Sequence, residues 1–298
     1  MKITRRGLTY GIGAIALAGA GYWGWKKTTT LPPTFANLAY GTDARNILDI
    51  YLPAGAGPHP FVLEIHGGAF KLGDKTANPV QTEVLAAGIA IVRINYRFSS
   101  TAIWPAQGQD CLAAVEFLRA NAAAYGLDAA RMAVWGQSAG GFLAASTVIS
   151  LAEAGKPAQA LVDFYGPVEF STMDADMAAL GLTAAMGQTS VPDSPESALL
   201  GFDVASNPTA ARAMGPVGRL EGKKISLAPL FARHGDADNF IAHTQTQRLV
   251  DAWRASDPRA PIDFALVAGA GHGTSEFNAS GVAGPLTVFL TTVLKPQG

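Results

Sequence analysis

The 298-residue sequence has little cysteine and few charged residues. Its single cysteine, Cys111, cannot form a disulfide within the chain, and this excludes a metal site built from several cysteines. Cys111 lies at helical spacing with Ala114 and Leu118, which predicts a buried core position. Charged residues make up 15% of the chain and the net charge is -1, with no stripe of lysine and arginine that would attract nucleic acid. We therefore expect a small-molecule or glycan partner and no nucleic acid.

Long hydrophobic runs are absent except near the N-terminus. Arg5 and Arg6 precede a run rich in glycine and alanine at 7–21, which contains a small-residue cleavage pattern. A paired arginine ahead of a mildly hydrophobic segment resembles a bacterial twin-arginine export signal. We expect residues 1–27 to direct export to the periplasm or the outside of a bacterial cell. The alternative is an uncleaved anchor in the inner membrane, because the aromatic and lysine residues at 22–27 suit a membrane interface.

The remaining residues, 28–298, predict one catalytic α/β domain. Short apolar runs alternate with helical patterns, which is typical of a mostly parallel sheet covered by helices on both faces. The candidate strands are 46–51, 61–66, 89–95, 131–135, 161–165, 229–233 and 262–267. The candidate helices are 107–125, 140–151, 244–255 and 282–294.

One segment, residues 168–224, interrupts this alternation. It is rich in alanine, glycine, methionine, serine and proline and carries several short helical patterns without a clear strand. We predict that it forms a cap inserted into the domain.

The five residues at 136–140 read Gly-Gln-Ser-Ala-Gly and match the pattern G-x-S-x-G. A buried strand pattern precedes them at 131–135, and a helical pattern follows at 141–145. In this context the glycines let the chain turn sharply from strand to helix while the serine projects outward. Ser138 is therefore the candidate nucleophile, on a strained backbone; the alternative is an ordinary serine that begins a helix.

A second glycine-rich turn, at 66–70, follows the predicted strand 61–66. Such a turn exposes backbone N–H groups that can approach a substrate carbonyl oxygen. By position, the N–H groups of Gly68 and Ala69, together with that of Ala139, are assigned to the oxyanion hole. His66 precedes the turn, so we expect it to brace the loop rather than to act as a base.

A serine hydroxyl is a weak nucleophile at neutral pH and needs a base and a carboxylate that orients the base. Of the five histidines, His272 is the best placed, in a glycine-rich turn after the last predicted strand. The turn after the preceding strand carries two carboxylates. We predict that Asp238 orients His272 and that Asp236 braces the turn through backbone bonds. The chain order serine, aspartate, histidine is then the order found in hydrolases whose nucleophilic serine lies at a sharp turn from strand to helix.

A metal site in the same turn is the alternative use of His234, Asp236 and Asp238. Their close spacing lacks the further ligands and the geometry that a catalytic zinc requires. We therefore predict neither a metal nor a cofactor.

With these motifs the sequence resembles the serine esterases of the α/β-hydrolase superfamily. It is similar to the group of bifunctional feruloyl and acetyl xylan esterases and to the carboxylesterases and lipases with an H-G-G loop. The likeness runs from about Asn46 to the C-terminus, and the stretches that carry it are 46–53, 95–97, 104–107 and 110–135.

The resemblance implies an α/β-hydrolase fold with a mostly parallel sheet flanked by helices and with a cap insertion. It also implies hydrolysis of short-acyl or carbohydrate-linked esters through an acyl-enzyme, without a cofactor. The roles carried over fall on Ser138, Asp238 and His272 and on the amides of Gly68, Ala69 and Ala139. Two alternatives stay open: an aryl formamidase or peptidase that uses the same triad, and a noncatalytic binding protein on this fold.

Overall fold

A computed structural model describes residues 31–295 of the chain. The predicted export or anchor segment, residues 1–27, lies outside the described residues and stays a prediction. Among residues 31–295, no helix is long and apolar enough to span a bilayer.

Eight strands form one sheet in the order β1-β2-β4-β3-β5-β6-β7-β8. The strands β1 and β2 pair antiparallel, as do β2 and β4, and every other neighbouring pair is parallel. The mostly parallel sheet predicted from the sequence is therefore confirmed. The strand bounds are Phe35–Ala39 (β1), Ile47–Tyr51 (β2), His59–Ile65 (β3), Ala90–Ile94 (β4), Leu127–Gln137 (β5), Ala160–Phe164 (β6), Leu230–Gly235 (β7) and Ile262–Val267 (β8).

Helices cover both faces of the sheet. Their bounds are Thr82–Ala86 (α1), Ala106–Asn121 (α2), Ala139–Glu153 (α3), Met173–Ala179 (α4), Pro195–Leu200 (α5), Pro208–Met214 (α6), Pro216–Leu220 (α7), Thr244–Ser256 (α8) and Ser280–Val293 (α9). The apolar sides of α2, α3 and α8 pack against one face of the sheet and form the larger core cluster with it. The helices α1 and α9 pack on the other face. Cys111 on α2 is fully buried, which confirms its predicted core position.

Among the strands and α-helices of residues 31–295, two were not predicted. The strand β1 is an antiparallel edge strand of five residues that stays partly exposed, so its sequence has no continuous apolar run. The helix α1 is a single turn of five residues, too short for a periodic pattern to emerge. The other differences lie at element ends: β5 begins at Leu127, and the predicted helix 107–125 ends at Asn121 and continues as a 3₁₀ turn, Ala122–Tyr125.

The predicted cap lies between β6 and β7. Within it, residues 168–224 form a 3₁₀ turn, Phe170–Thr172, and the four short helices α4 to α7, without a strand. Asp176 on α4 accepts hydrogen bonds from Gln245 (2.7 Å) and Arg248 (2.6 Å) on α8. These polar contacts, in which the Asp176 carboxylate is buried, fix the cap to the helix that follows β7.

The register of the parallel strands brings their carboxyl ends to one edge. Ile65 on β3 pairs with Gly136 on β5, and Gln137 pairs with Phe164 on β6. On the other side, Gly235 at the end of β7 pairs with Val267 at the end of β8. In open α/β sheets, ligands bind outside this carboxyl edge.

Candidate active site

Ser138 lies at the sharp turn between β5 and α3. Its backbone adopts φ 54° and ψ -127°, which an L-residue rarely adopts. The strand and helix approach so closely that a Cβ at Gly136 would collide with the carbonyl oxygen of Gly140. The Ser138 N–H donates to the carbonyl of Phe164 on β6 at 2.9 Å, which holds the turn to the sheet. The elbow expected from the sequence is present, with its serine in the strained conformation.

His272 lies between Ser138 and Asp238. Its Nε2 is 2.9 Å from Ser138 Oγ, and its Nδ1 is 2.6 Å from Asp238 Oδ2. Because an ionised carboxylate only accepts, Nδ1 carries the proton and Nε2 is free to accept the serine proton. The structure thus brings together three predicted residues that are separated by up to 134 positions in sequence.

The carboxylate of Asp238 is held from several sides. Its Oδ1 accepts the backbone N–H groups of Phe240 (2.8 Å) and Ile241 (3.0 Å), and its Oδ2 is 3.3 Å from His234 Nε2. Burial opposes the charge, but the contacts with His272 and His234 outweigh it and hold the pKa of Asp238 below its usual range. Asp238 is therefore ionised at neutral pH.

A buried polar chain continues behind Asp238. His234 Nε2 lies 2.9 Å from the carbonyl oxygen of Ile241, and its Nδ1 lies 2.7 Å from Thr246 Oγ1. Thr246 Oγ1 is in turn 3.4 Å from Asp163 Oδ2 on β6. Burial raises the pKa of Asp163 to about 6, and the nearby His234 partly offsets the shift.

The turn that carries Asp238 is braced by the other carboxylate. Asp236 is exposed, and its Oδ1 accepts the N–H of Gly269 at 2.7 Å. This bond joins the turn after β7 to the turn after β8, which carries His272. The bracing role predicted for Asp236 is confirmed.

The glycine-rich turn after β3 folds against the elbow. Gly68 has φ 118°, Ala69 has φ 52°, and the carbonyl of Gly68 accepts the N–H of Leu72 at 2.8 Å. A Cβ at Gly68 would collide with the carbonyl oxygen of Leu72. A Cβ at Gly67 would lie 3.0 Å from Ser138 Cβ, so the turn and the serine are in close contact.

His66 braces this turn, as predicted. Its Nδ1 lies 2.6 Å from the carbonyl oxygen of Gly67, its ring stacks on Tyr96 at 4.5 Å, and its carbonyl accepts from the Tyr96 hydroxyl at 3.0 Å. Burial lowers the pKa of His66 to about 4. The ring is therefore neutral at physiological pH.

These elements open into one small pocket. Its volume is about 40 Å³, which is room for roughly three water molecules. Ala69, Ser138, Ala139 and His272 line it from the sheet side, and Gly68 immediately precedes Ala69 in the turn. The cap and the turn after β7 supply the other walls, including Met173, Met186, Thr189, Pro195, Glu196 and Phe240. Among residues 31–295, no group of three or more His, Cys, Asp and Glu side chains could hold a metal ion.

Several site residues were not predicted from the sequence. The ring of Tyr165 packs edge-on against His272 at 4.7 Å, and Phe240 stacks on the same imidazole at 5.3 Å. Glu196 enters the pocket from the cap, and Thr246 and Asp163 extend the chain behind His234. No short motif contains them, because they come from separate segments of the chain: the end of β6, the turn after β7, α5 and α8.

The family model described as BD-FAE matches residues 48–253 of the chain. The probable carboxylic ester hydrolase LipM of Mycobacterium tuberculosis is 28% identical over 245 residues, which cover 77% of this chain and 53% of that protein. Esterase LipQ of the same organism is 25% identical over 252 residues, covering 80% and 56%. The chain therefore spans about half the length of these curated relatives.

Solved structures share the fold over almost the whole domain. A carbohydrate esterase from gut microbiota, solved in truncated form, superposes with a TM-score of 0.74 at 26% identity, covering 87% of this chain and 95% of that chain. EstE1, a thermophilic carboxylesterase from a metagenomic library, gives a TM-score of 0.74 at 20% identity, with 94% of each chain covered. The second likeness shows the fold alone.

Proposed function

Since the chain belongs to the BD-FAE family, we propose that it is a carboxylic ester hydrolase that works through an acyl-enzyme on Ser138. The family match confirms the resemblance seen in the sequence. The observation that carries the mechanism is the position of His272, within hydrogen-bond distance of both Ser138 Oγ and Asp238 Oδ2. A histidine held in this way is a general base whose tautomer is fixed.

In the first step Ser138 Oγ attacks the ester carbonyl carbon while His272 Nε2 takes the hydroxyl proton. The negative charge that develops on the carbonyl oxygen is stabilised by the N–H groups of Gly68, Ala69 and Ala139. When the ester C–O bond breaks, His272 returns the proton to the leaving alcohol. Ser138 is left as an ester of the acyl group.

In the second step water attacks the acyl-enzyme with His272 again as base, which releases the carboxylic acid and restores the serine hydroxyl. Asp238 stays ionised throughout and stabilises the imidazolium that forms transiently. Its low pKa supports this role, because it keeps the carboxylate from taking the proton of His272.

For the substrate we propose short-acyl or carbohydrate-linked esters. The small volume of the pocket, about 40 Å³, supports a short group beside Ser138. The likeness to a carbohydrate esterase at 26% identity supports a sugar as the alcohol.

We also propose that the chain is exported, on the basis of Arg5 and Arg6. The test is to fractionate cells that express the wild type or the variant with both residues changed to lysine. Export of the variant at the wild-type level would contradict the proposal.

The test of the activity is hydrolysis of a p-nitrophenyl ester series from acetate to decanoate by the full-length chain. The wild type should hydrolyse the short esters best, and Ser138→Ala should lose turnover while keeping its fold by circular dichroism. The matched control is Ser146→Ala on the same helix α3, because Ser146 is buried and its Oγ has no hydrogen-bond partner among residues 31–295. Equal turnover by wild type and Ser138→Ala would overturn the proposal.

A further inference from the structure

Glu196 is a buried acidic residue that lines the active-site pocket. It lies on α5 of the cap and lines the same pocket as Ser138 and His272. It is 8% exposed, so the side chain is more than nine-tenths buried. Among residues 31–295, no hydrogen bond or ion pair joins this carboxyl to another side chain, whereas Arg97 and Arg248 form salt bridges with the buried carboxylates of Asp110 and Asp176.

The carboxyl has no evident structural task. The start of α5 is capped by Ser194, whose Oγ accepts the N–H of Ser197 at 3.0 Å. A buried carboxyl that no other side chain pairs lowers stability relative to an apolar side chain of the same size. Burial accordingly raises the pKa of Glu196 to about 7; its own backbone N–H and Lys71 lower it, and Asp174 raises it.

We infer that Glu196 is a specificity-determining residue that hydrogen-bonds a hydroxyl group of the substrate ester. This inference rests on the proposed function and deepens it, because it names the chemical feature that the pocket selects. Met173, Met186 and Pro195 line the same pocket as Glu196, together with the polar residues Gln188 and Thr189. A ligand hydroxyl that enters this pocket would give the carboxyl the partner that no side chain supplies.

A hydroxyl suits this carboxyl better than a cationic group does. A hydroxyl donates to an ionised carboxylate and accepts from a protonated carboxyl, so it pairs with Glu196 on either side of neutral pH. An ammonium group pairs only with the ionised form. It would also lose most of its hydration on entering this small pocket.

The experiment compares esters that differ only in a hydroxyl. Ethyl acetate is paired with 2-hydroxyethyl acetate for the alcohol side, and ethyl butyrate with ethyl 3-hydroxybutyrate for the acyl side. A third pair, 3,3-dimethylbutyl acetate and acetylcholine, presents a neutral group and a cation of the same shape. The full-length chain is assayed as wild type, Glu196→Gln and Glu196→Met, with Asp193→Asn as control because Asp193 is an exposed carboxylate of the same segment.

The wild type and Asp193→Asn should favour the hydroxylated ester of at least one pair by about fivefold or more in kcat/KM. Glu196→Gln should keep most of this preference, because an amide also donates and accepts. Glu196→Met should reduce it to less than about twofold, and the pair affected tells which side of the ester meets Glu196. Glu196→Leu, a second apolar variant, and the thermal melts of all variants separate loss of recognition from loss of folding.

The inference is overturned if neither hydroxyl pair shows a preference that depends on Glu196, or if the larger dependence falls on the acetylcholine pair. Both results leave ester hydrolysis by Ser138 intact. If the folded wild type hydrolyses none of the six esters and no p-nitrophenyl ester, the proposed function fails and the inference falls with it.

Discussion

His234 lies beside Asp238 with its Nε2 3.3 Å from the same Oδ2 atom that contacts His272. That Nε2 faces two acceptors, the Asp238 carboxylate and the carbonyl oxygen of Ile241, so it carries a proton. The two histidines therefore approach one carboxylate oxygen from different elements. This arrangement makes His234 a positioning residue for Asp238.

We predict that His234→Leu reduces kcat/KM for p-nitrophenyl acetate about tenfold and lowers the free energy of unfolding by about 2 kcal/mol. The substitution removes a donor to Asp238 and to the Ile241 carbonyl, and it removes one of the two partners of the Thr246 hydroxyl. His243→Leu, at the partly exposed histidine before α8, should change neither quantity. A variant that unfolds more easily but has the wild-type pH–rate profile and kcat would restrict His234 to a structural role.

The two aspartates of the turn after β7 should respond very differently to loss of charge. Asp238→Asn should reduce kcat by about 10³- to 10⁴-fold with the fold retained, because the amide favours the wrong tautomer of His272. Asp236→Asn should stay within about twofold of the wild type, since its amide oxygen can still accept the Gly269 N–H. Steady-state kinetics of both variants decide the assignment, and a larger loss in Asp236→Asn would reverse it.

Stability should depend on pH through Asp163. Burial raises the pKa of Asp163 to about 6, although the nearby His234 and Thr246 lower it. An aspartate in the unfolded chain titrates near 3.9. The folded protein therefore binds this proton more tightly, so the contribution of Asp163 to stability is largest below about pH 4 and falls by up to about 3 kcal/mol as the pH rises to about 6.

Asp163→Asn carries no titrating proton and should not show this loss. Urea unfolding of both proteins at pH 4, 5, 6 and 7 measures this loss. The free energy of unfolding of the variant, relative to that of the wild type, should increase as the pH rises. A difference between the two proteins that is the same at every pH would contradict the raised pKa.

The turn after β3 should tolerate no side chain at Gly68. In Gly68→Ala the new Cβ collides with the Leu72 carbonyl, which displaces the N–H groups assigned to the oxyanion hole, and kcat/KM should fall about 100-fold. Gly88→Ala is the matched control, because Gly88 also has a positive φ, of 82°, but nothing lies within 4 Å of its added Cβ. That variant should lose only about 1 kcal/mol of stability and no activity. Equal activity of the two variants would remove the turn from the mechanism.

The sequence was sufficient for the parts of the fold and site that carry local patterns. The parallel strands contain short apolar runs. The glycines around Ser138 mark a close approach of strand and helix, and Gly68 marks a backbone conformation that few other residues can adopt. The turn that carries Asp238 follows directly from a predicted strand. These signals are local, so they can be recognised without knowledge of the tertiary structure.

The missed features depend on tertiary contacts. Glu196 lies in a cap whose short helices show no strong hydrophobic periodicity. Thr246 is one of several polar residues on the amphipathic helix α8, and its spacing does not distinguish it from the others. Asp163 is a single acidic residue within a buried strand, where its partner on α8 lies 83 positions away. Only the fold shows that these side chains meet behind or beside His272.

The most direct measurement of the central claim is covalent trapping of the nucleophile. The full-length protein is incubated with diethyl p-nitrophenyl phosphate, and intact-mass spectrometry with peptide mapping locates the diethylphosphoryl group. We predict one group on Ser138 in the wild type and in Ser146→Ala, loss of esterase activity in step with labelling, and no label in Ser138→Ala. A label on another residue, or wild-type activity that persists after Ser138 is fully labelled, would contradict Ser138 as the nucleophile.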